Sequence, residues 1–78
     1  MDTKEKIKNV IVNLLKVKLE EIKDDAGLEQ SIGVDSTEMV ETVIALEKEF
    51  GVKFNAKEIT KSSTLDEIEK VIQSKLSA

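Results

Sequence analysis

The chain has 78 residues, of which 40% are apolar and 36% charged, and its 16 acidic residues outnumber its 12 basic ones to give a net charge of −4. This length and balance are typical of one small globular domain and too apolar for a disordered chain. An acidic chain whose only aromatic residues are two phenylalanines lacks the cationic surface and the stacking side chains of nucleic-acid binders, so we expect no nucleic-acid partner.

The absence of cysteine and histidine narrows the possible chemistry. Without cysteine there is no disulfide framework, thiolate zinc site or thiol nucleophile. Without histidine, a serine lacks the usual general base near neutral pH, so a reaction at a serine would need catalytic groups from another protein. The sequence shows no signal peptide and no apolar run of membrane-spanning length, which predicts a cytoplasmic protein without membrane insertion.

Helical periodicity predicts the first element. The stretch "DTKE" places Asp2 as a helix cap, with Glu5 three residues later. We expect a long amphipathic helix that ends between residues 16 and 22. Its predicted buried stripe consists of Ile7, Val10, Ile11, Leu14, Leu15, Leu19 and Ile22.

A loop without helical periodicity is predicted over residues 23–34. Its two aspartates and two glycines are typical of a loop, and we expect Leu28, Ile32 and Val34 to anchor it by turning inward. About a dozen residues without secondary structure often form a functional loop in a compact domain. The stretch "DDAG" lacks the spacing of an EF-hand, so we expect no metal site.

The second helix is predicted to begin at "DSTE", where Asp35 and Glu38 repeat the capping spacing, and to end at Gly51. Its predicted buried stripe consists of Met39, Val43, Leu46 and Phe50, with Val40 beside it. The opposite face is predicted to carry Glu38, Glu41, Thr42, Ala45 and Glu49. Ile44 lies on the shoulder between the two faces, where we expect it to remain partly exposed.

Two further capping patterns follow. The stretch "NAKE" predicts a short helical turn through Ile59, and "STLDE" predicts a last helix capped by Ser63 or Thr64, with Glu67 completing the box. The last helix is predicted to bury Leu65, Ile68, Val71, Ile72 and Leu76. We therefore predict an all-α fold, a small antiparallel four-helix bundle with three main helices and one short helix, as a single monomeric domain over residues 1–78.

Ser36 has two interpretations. Serine at a helix start most often caps the helix or lies beside the cap. Here Asp35 can cap instead, since its carboxylate also suits the positive end of the helix dipole. The Ser36 hydroxyl would then face solvent at the end of a long loop, open to modification by an enzyme.

The segment "LEQSIGVDSTEMVETVIALEKEFGVKF" resembles the acyl carrier protein family, whose pattern joins a leucine-led loop, Gly-x-Asp-Ser-Leu, a glutamate-rich second helix and Leu-Glu-x-x-Phe. The likeness extends over essentially the whole chain. It implies that a phosphopantetheinyl transferase moves 4′-phosphopantetheine from coenzyme A to Ser36, with Asp35 helping to position it. The terminal thiol of this arm would hold acyl groups as thioesters, so the resemblance implies a carrier protein rather than an enzyme.

The resemblance also assigns roles on the second helix. It implies that this helix meets basic docking surfaces of acyl-transferring synthases or ligases through Thr37, Glu38, Glu41, Ile44 and Glu47. A solvated charged face is the ordinary alternative for these acids. Candidates for an acyl pocket are Val40, Val43 and Ile59, for which plain core packing fits equally well.

Some residues depart from the family pattern. Thr37 replaces the leucine after the serine, and Thr42 stands where the family often has leucine. Both fatty acid biosynthesis and a specialised pathway, such as polyketide or aminoacyl and peptidyl carriage, therefore stay open. The alternative from another class is a non-covalent adaptor whose acidic helical face binds a basic partner.

Overall fold

The computed structural model describes residues 2–55 and 57–77. It contains α1 (Thr3–Leu15), α2 (Leu28–Ile32), α3 (Ser36–Phe50) and α4 (Leu65–Ser77), with a 3-10 turn at Leu19–Glu21. Over the described ranges there is no β-strand, only an isolated bridge between residues 27 and 64. The predicted all-α fold with three main helices and one short helix is thus confirmed. No described helix is both long enough and apolar enough to cross a membrane.

The first helix begins and ends for local reasons. The Asp2 carboxylate accepts a hydrogen bond from the Glu5 backbone N–H at 2.8 Å, as the capping pattern predicts. At the other end Lys16 adopts the left-handed conformation with φ of 59°, which terminates α1 at Leu15, just before the predicted range. Leu14 and Leu19 were expected in the buried stripe but are 37% and 51% exposed, whereas Ile22 is 5% exposed as predicted. In α4, Leu76 was also expected to be buried and is 51% exposed.

The hydrophobic core is formed mainly by α1, α3 and α4. Its fully buried apolar side chains are Ile7, Ile11, Leu28, Leu46, Leu65, Ile68 and Ile72. Thr42 is also fully buried, so its expected place on the exposed face is wrong. Its spacing from Met39 and Leu46 puts it on the same helical face as both. Burial is tolerated because the Thr42 hydroxyl donates a hydrogen bond to the Glu38 carbonyl at 2.8 Å.

The short helix lies in a different place from the one predicted. Residues 28–32, which were expected to be loop, form α2 between Gly27 and Gly33. Tertiary contacts fix this segment: the Leu28 N–H donates to the Ser63 carbonyl at 3.0 Å and the Glu29 N–H to the Lys61 carbonyl at 2.8 Å. The anchoring role of the loop is confirmed, since Leu28 is fully buried and Val34 is 3% exposed.

The sequence predicts a short helical turn that runs from the NAKE stretch through Ile59. One residue of this stretch, residue 56, lies outside the described residues, and the described ones form a turn and not a helix. Half of the expected capping pair is present, since the Glu58 carboxylate accepts from the Asn55 N–H. The Asn55 side-chain oxygen instead accepts from the Lys57 N–H. Residues 57–58 form a turn, and the described residues between this turn and α4 contain no helix. We call residues 52–64 the connector.

Ion pairs join the long loop to α1 and α4. Lys8 lies 3.0 Å from one oxygen of Asp24, and Lys4 lies 3.4 Å from the other. Lys4 also lies 2.6 Å from Asp66 in the first turn of α4. The Asp66 N–H in turn donates to the Asp24 carbonyl at 3.2 Å. This network holds the loop against both helices at the end where they begin.

Candidate functional site

The start of α3 is fixed by a reciprocal cap. The Asp35 carboxylate accepts from the Glu38 N–H at 2.7 Å, and the Glu38 carboxylate accepts from the Asp35 N–H at 3.0 Å. This confirms Asp35 as the cap. The predicted Ser36 environment is also observed: Ser36 is the first residue of α3, it is exposed, and its hydroxyl makes no hydrogen bond within the described residues. The hydroxyl is therefore accessible to a modifying enzyme, and no described residue competes for it.

Two residues before the cap hold Ser36 at the surface. Gly33 ends α2 with φ of 69°, a left-handed conformation that glycine adopts without strain. The next residue, Val34, is 3% exposed and anchors the chain in the core. Because Val34 is fixed inside and Asp35 is fixed by its cap, Ser36 has a defined position on the exterior.

Ser36 lies at an apolar groove between α3 and the connector. The groove has a volume of about 380 Å³. The three residues predicted as an acyl pocket, Val40, Val43 and Ile59, all line it together with Ser36. Val40 is 59% exposed, so it forms part of the rim, whereas Ile59 is only 4% exposed. The sequence interpretation therefore placed residues from two distant segments around one groove.

Sequence reasoning missed the polar part of this groove and its aromatic residue. Phe54, Asn55, Thr60 and Lys61 complete the lining with Met39 and Ile44. The sequence did carry one signal, because Phe54 is an apolar residue between a helix stop and a capping pattern. Its position against α3 could not be read from periodicity, since the connector has none.

The acidic residues of α3 differ in their availability. Glu38 is half-buried and engaged in the cap, and the Glu47 carboxylate accepts from the Phe54 N–H at 2.9 Å. Glu41 is exposed and has no hydrogen-bond or ion-pair partner in the portion described. Thr37 is exposed beside Ser36, and Ile44 is 46% exposed, as its shoulder position predicts. Among the three acids that were predicted to meet a partner, Glu41 is therefore the most available.

Comparison with known proteins identifies the family. The family described as "Phosphopantetheine attachment site" matches residues 5–72. Acyl carrier proteins from Nitratidesulfovibrio vulgaris strains DP4 and Hildenborough are each 38% identical to the chain over 55 residues, which cover 70% of the chain and 72% of the relative. The chain belongs to the acyl carrier protein family. The resemblance seen in the sequence is thus confirmed.

Membership in this carrier family makes 4′-phosphopantetheine the prosthetic group of the chain. The residues present fit such a group. An acyl carrier protein needs an accessible oxygen for attachment, and the Ser36 hydroxyl is exposed and has no hydrogen-bond partner among the described residues. The N-terminal end of α3 also favours a negatively charged group such as a phosphate. The first backbone N–H groups of a helix have no partner within the helix, and the positive end of the helix dipole lies there. Family members are modified by a phosphopantetheinyl transferase and interact with enzymes.

Proposed function

We propose that Ser36 is the attachment point of 4′-phosphopantetheine and that the protein carries acyl groups on this arm to partner enzymes. The observation that carries the proposal is the exposed Ser36 hydroxyl at the mouth of an apolar groove. The Asp35–Glu38 cap leaves that hydroxyl free, which removes the ordinary structural explanation for a serine at this position.

The residues at the site supply position and not catalysis. Ser36 offers the oxygen that receives the phosphoryl group, and Asp35 fixes the helix start that presents it. No histidine is present to remove the hydroxyl proton, so the transferase supplies the base and the chain itself catalyses no step. When bound, the prosthetic group supplies a terminal thiol that holds acyl groups as thioesters.

We propose that the apolar groove protects the cargo between enzymes. Val43, Ile59 and Phe54 offer apolar surface within reach of an arm attached at Ser36. Each CH₂ group moved from water into such a site contributes about 0.8 kcal/mol. An open groove on a small domain binds an acyl chain reversibly. Reversible binding suits a cargo that must leave the groove to enter the active site of each enzyme.

Partner recognition is proposed to centre on Glu41 and the neighbouring apolar residues Val40 and Ile44. An exposed carboxylate beside exposed apolar side chains fits partner sites that combine lysine or arginine with an apolar contact. Thr37 adjoins this surface, whereas Glu38 and Glu47 would contribute after adjusting their intramolecular bonds. Association of this kind is fast, weak and salt-sensitive.

We propose fatty acid biosynthesis or a specialised acyl pathway in the cytoplasm, with polyketide or aminoacyl and peptidyl carriage as alternatives. Exposed Thr37 alters the contact surface beside the attachment point and favours a dedicated partner. Buried Thr42 alters the core and leaves that surface unchanged.

The test is intact-mass measurement after incubation with coenzyme A and a promiscuous phosphopantetheinyl transferase. Wild type and the control Ser74→Ala, which removes another exposed serine hydroxyl, should each gain one phosphopantetheine, and Ser36→Ala should gain none. An unmodified wild type would overturn the proposal and favour the non-covalent adaptor. That adaptor predicts that partner binding survives Ser36→Ala but is lost in Glu41→Lys.

A further inference from the structure

The wall of the groove opposite α3 is formed by a segment with little structure of its own. Phe54, Asn55, Ile59, Thr60 and Lys61 all belong to the connector. Among its described residues the connector contains no helix and no strand. Its position therefore depends on bonds to the helices that flank it.

Lys75, in the last turn of α4, makes two of these contacts from outside the groove. Its ammonium group lies 3.0 Å from Glu58 Oε1 and 5.7 Å from the centroid of the Phe54 ring. The same Glu58 oxygen accepts from the Asn55 N–H at 2.8 Å. One lysine on α4 is thus connected to three connector residues, of which Phe54 and Asn55 line the groove.

The environment of these contacts makes them stronger than ordinary surface pairs. The side chains of Lys75 and Glu58 are 27% and 29% exposed, so solvent and salt screen their attraction less than on an open surface. The Asn55 N–H and the Lys75 ammonium group lower the pKa of Glu58, which stays ionised near neutral pH. A lysine ammonium group at this distance from a phenylalanine ring also makes a cation–π contact.

We infer that Lys75 is a positioning residue that holds Phe54 and the connector in the shape that receives the acyl chain. This inference rests on the proposed role of the groove. Without Lys75 the Glu58 carboxylate and the Phe54 ring would lose their contacts with α4, although the Phe54 N–H would still be held by Glu47. This part of the connector would then be less ordered before cargo binds, and the entropy lost in ordering it would weaken cargo binding. A site on α4 would thereby control a groove formed by other segments.

The experiment measures the increase in melting temperature when the holo protein is loaded with an octanoyl thioester. It compares wild type, Lys75→Met, Lys75→Arg and the control Lys6→Met. Lys6 is exposed on α1 and its side chain has no ion-pair partner in the described ranges, so this control makes the same charge change away from the groove. We expect Lys75→Met to lose at least half of the wild-type increase, with Lys75→Arg and Lys6→Met retaining it.

The difference between loaded and holo protein separates positioning from stability. A purely structural Lys75 would lower both melting temperatures equally and leave the increase unchanged, which would overturn the inference. Loss of the increase in Lys6→Met would also overturn it, because the effect would then follow net charge. If loaded wild type shows no increase, the groove does not hold the cargo and the inference fails with it. Attachment at Ser36 would still stand on the mass measurement.

Discussion

At the scale of single residues, the neighbouring side chains of Asp35 and Ser36 differ in their hydrogen bonding. The Asp35 carboxylate is bonded to the helix terminus, whereas the Ser36 hydroxyl makes no hydrogen bond in the part of the chain that the structure describes. The site thus separates the group that fixes the backbone from the group that we propose is modified. The Asp35 side chain caps α3 and also carries a negative charge. Because asparagine keeps the cap and removes the charge, substitution can separate the contribution of Asp35 to folding from its contribution to modification.

Asp35→Ala should destabilise the apo protein by about 1 kcal/mol, or about 4–8 °C in melting temperature, because the Glu38 N–H loses its acceptor. Asp35→Asn should melt close to wild type, since asparagine caps about as well as aspartate. If the charge of Asp35 assists the transferase, Asp35→Asn should still load more slowly in a time course by intact mass. Equal loading rates for Asp35→Asn and wild type would restrict Asp35 to its structural role.

At the scale of elements, the short α2 and the connector stabilise each other. Neither has the length or periodicity to be stable alone, and both depend on the bonds from Leu28 and Glu29 to the carbonyls of Ser63 and Lys61. Lys61 also pairs with Glu29 at 3.2 Å. The glycines that predicted a loop in fact border α2, with Gly27 before it and Gly33 after it. Five helical residues are too few to show a period, so the sequence could not distinguish this helix from a loop.

The close approach at Gly27 gives a test of this pairing. A Cβ atom added to Gly27 would lie 2.7 Å from the Ser62 carbonyl oxygen, a backbone atom that cannot rotate away. Gly27→Ala should therefore destabilise the protein by about 1–3 kcal/mol in urea denaturation, as overpacking typically does. Hydrogen exchange at the Leu28 and Glu29 amides should accelerate beyond this global effect.

Gly51→Ala is the control for Gly27→Ala. Its added Cβ would meet no atom within 4 Å, and its cost comes only from the left-handed backbone with φ of 68°. In Gly51→Ala, hydrogen exchange at the Leu28 and Glu29 amides should accelerate only as much as the change in the free energy of unfolding predicts. Selective acceleration in both variants would show that the Gly27 contact is not what holds α2 to the connector.

At the scale of the whole molecule, the helix caps were predicted well, and the segments fixed by distant contacts were not. The caps at Asp2, Asp35 and Thr64 follow from spacings of three residues, and each is observed. Val40, Val43 and Ile59, which the family resemblance had grouped, line one groove together with Ser36, and their role in holding an acyl chain stays a prediction. The role of the connector in the groove depends on contacts with α3 and α4, which no local pattern encodes.

The network of Lys4, Lys8, Asp24 and Asp66 is another long-range feature, and it predicts a dependence on pH. Lys8 and then Lys4 hold the pKa of Asp24 below its ordinary value of 3.8. A lowered carboxyl pKa stabilises the fold fully above the unfolded value, and the contribution is lost as the pH falls through the folded value. Asp66 and Asp24 raise the pKa of Lys4 above 10.5, so its contribution is lost only as the pH rises through that higher value.

Asp24→Asn should therefore be less stable than wild type near neutral pH, by about 1 kcal/mol or less because the network is partly exposed. The difference should shrink as the pH falls below 3.8 and through the lowered pKa of folded Asp24, where protonation neutralises this carboxylate in wild type as well. Urea denaturation at a series of pH values measures it. The control Asp25→Asn changes the exposed neighbour, which has no ion-pair partner in the described residues, and should differ little from wild type at any pH. A difference for Asp24→Asn that stays constant through the acidic range would mean that Asp24 acts through packing or hydrogen bonding and not through its charge.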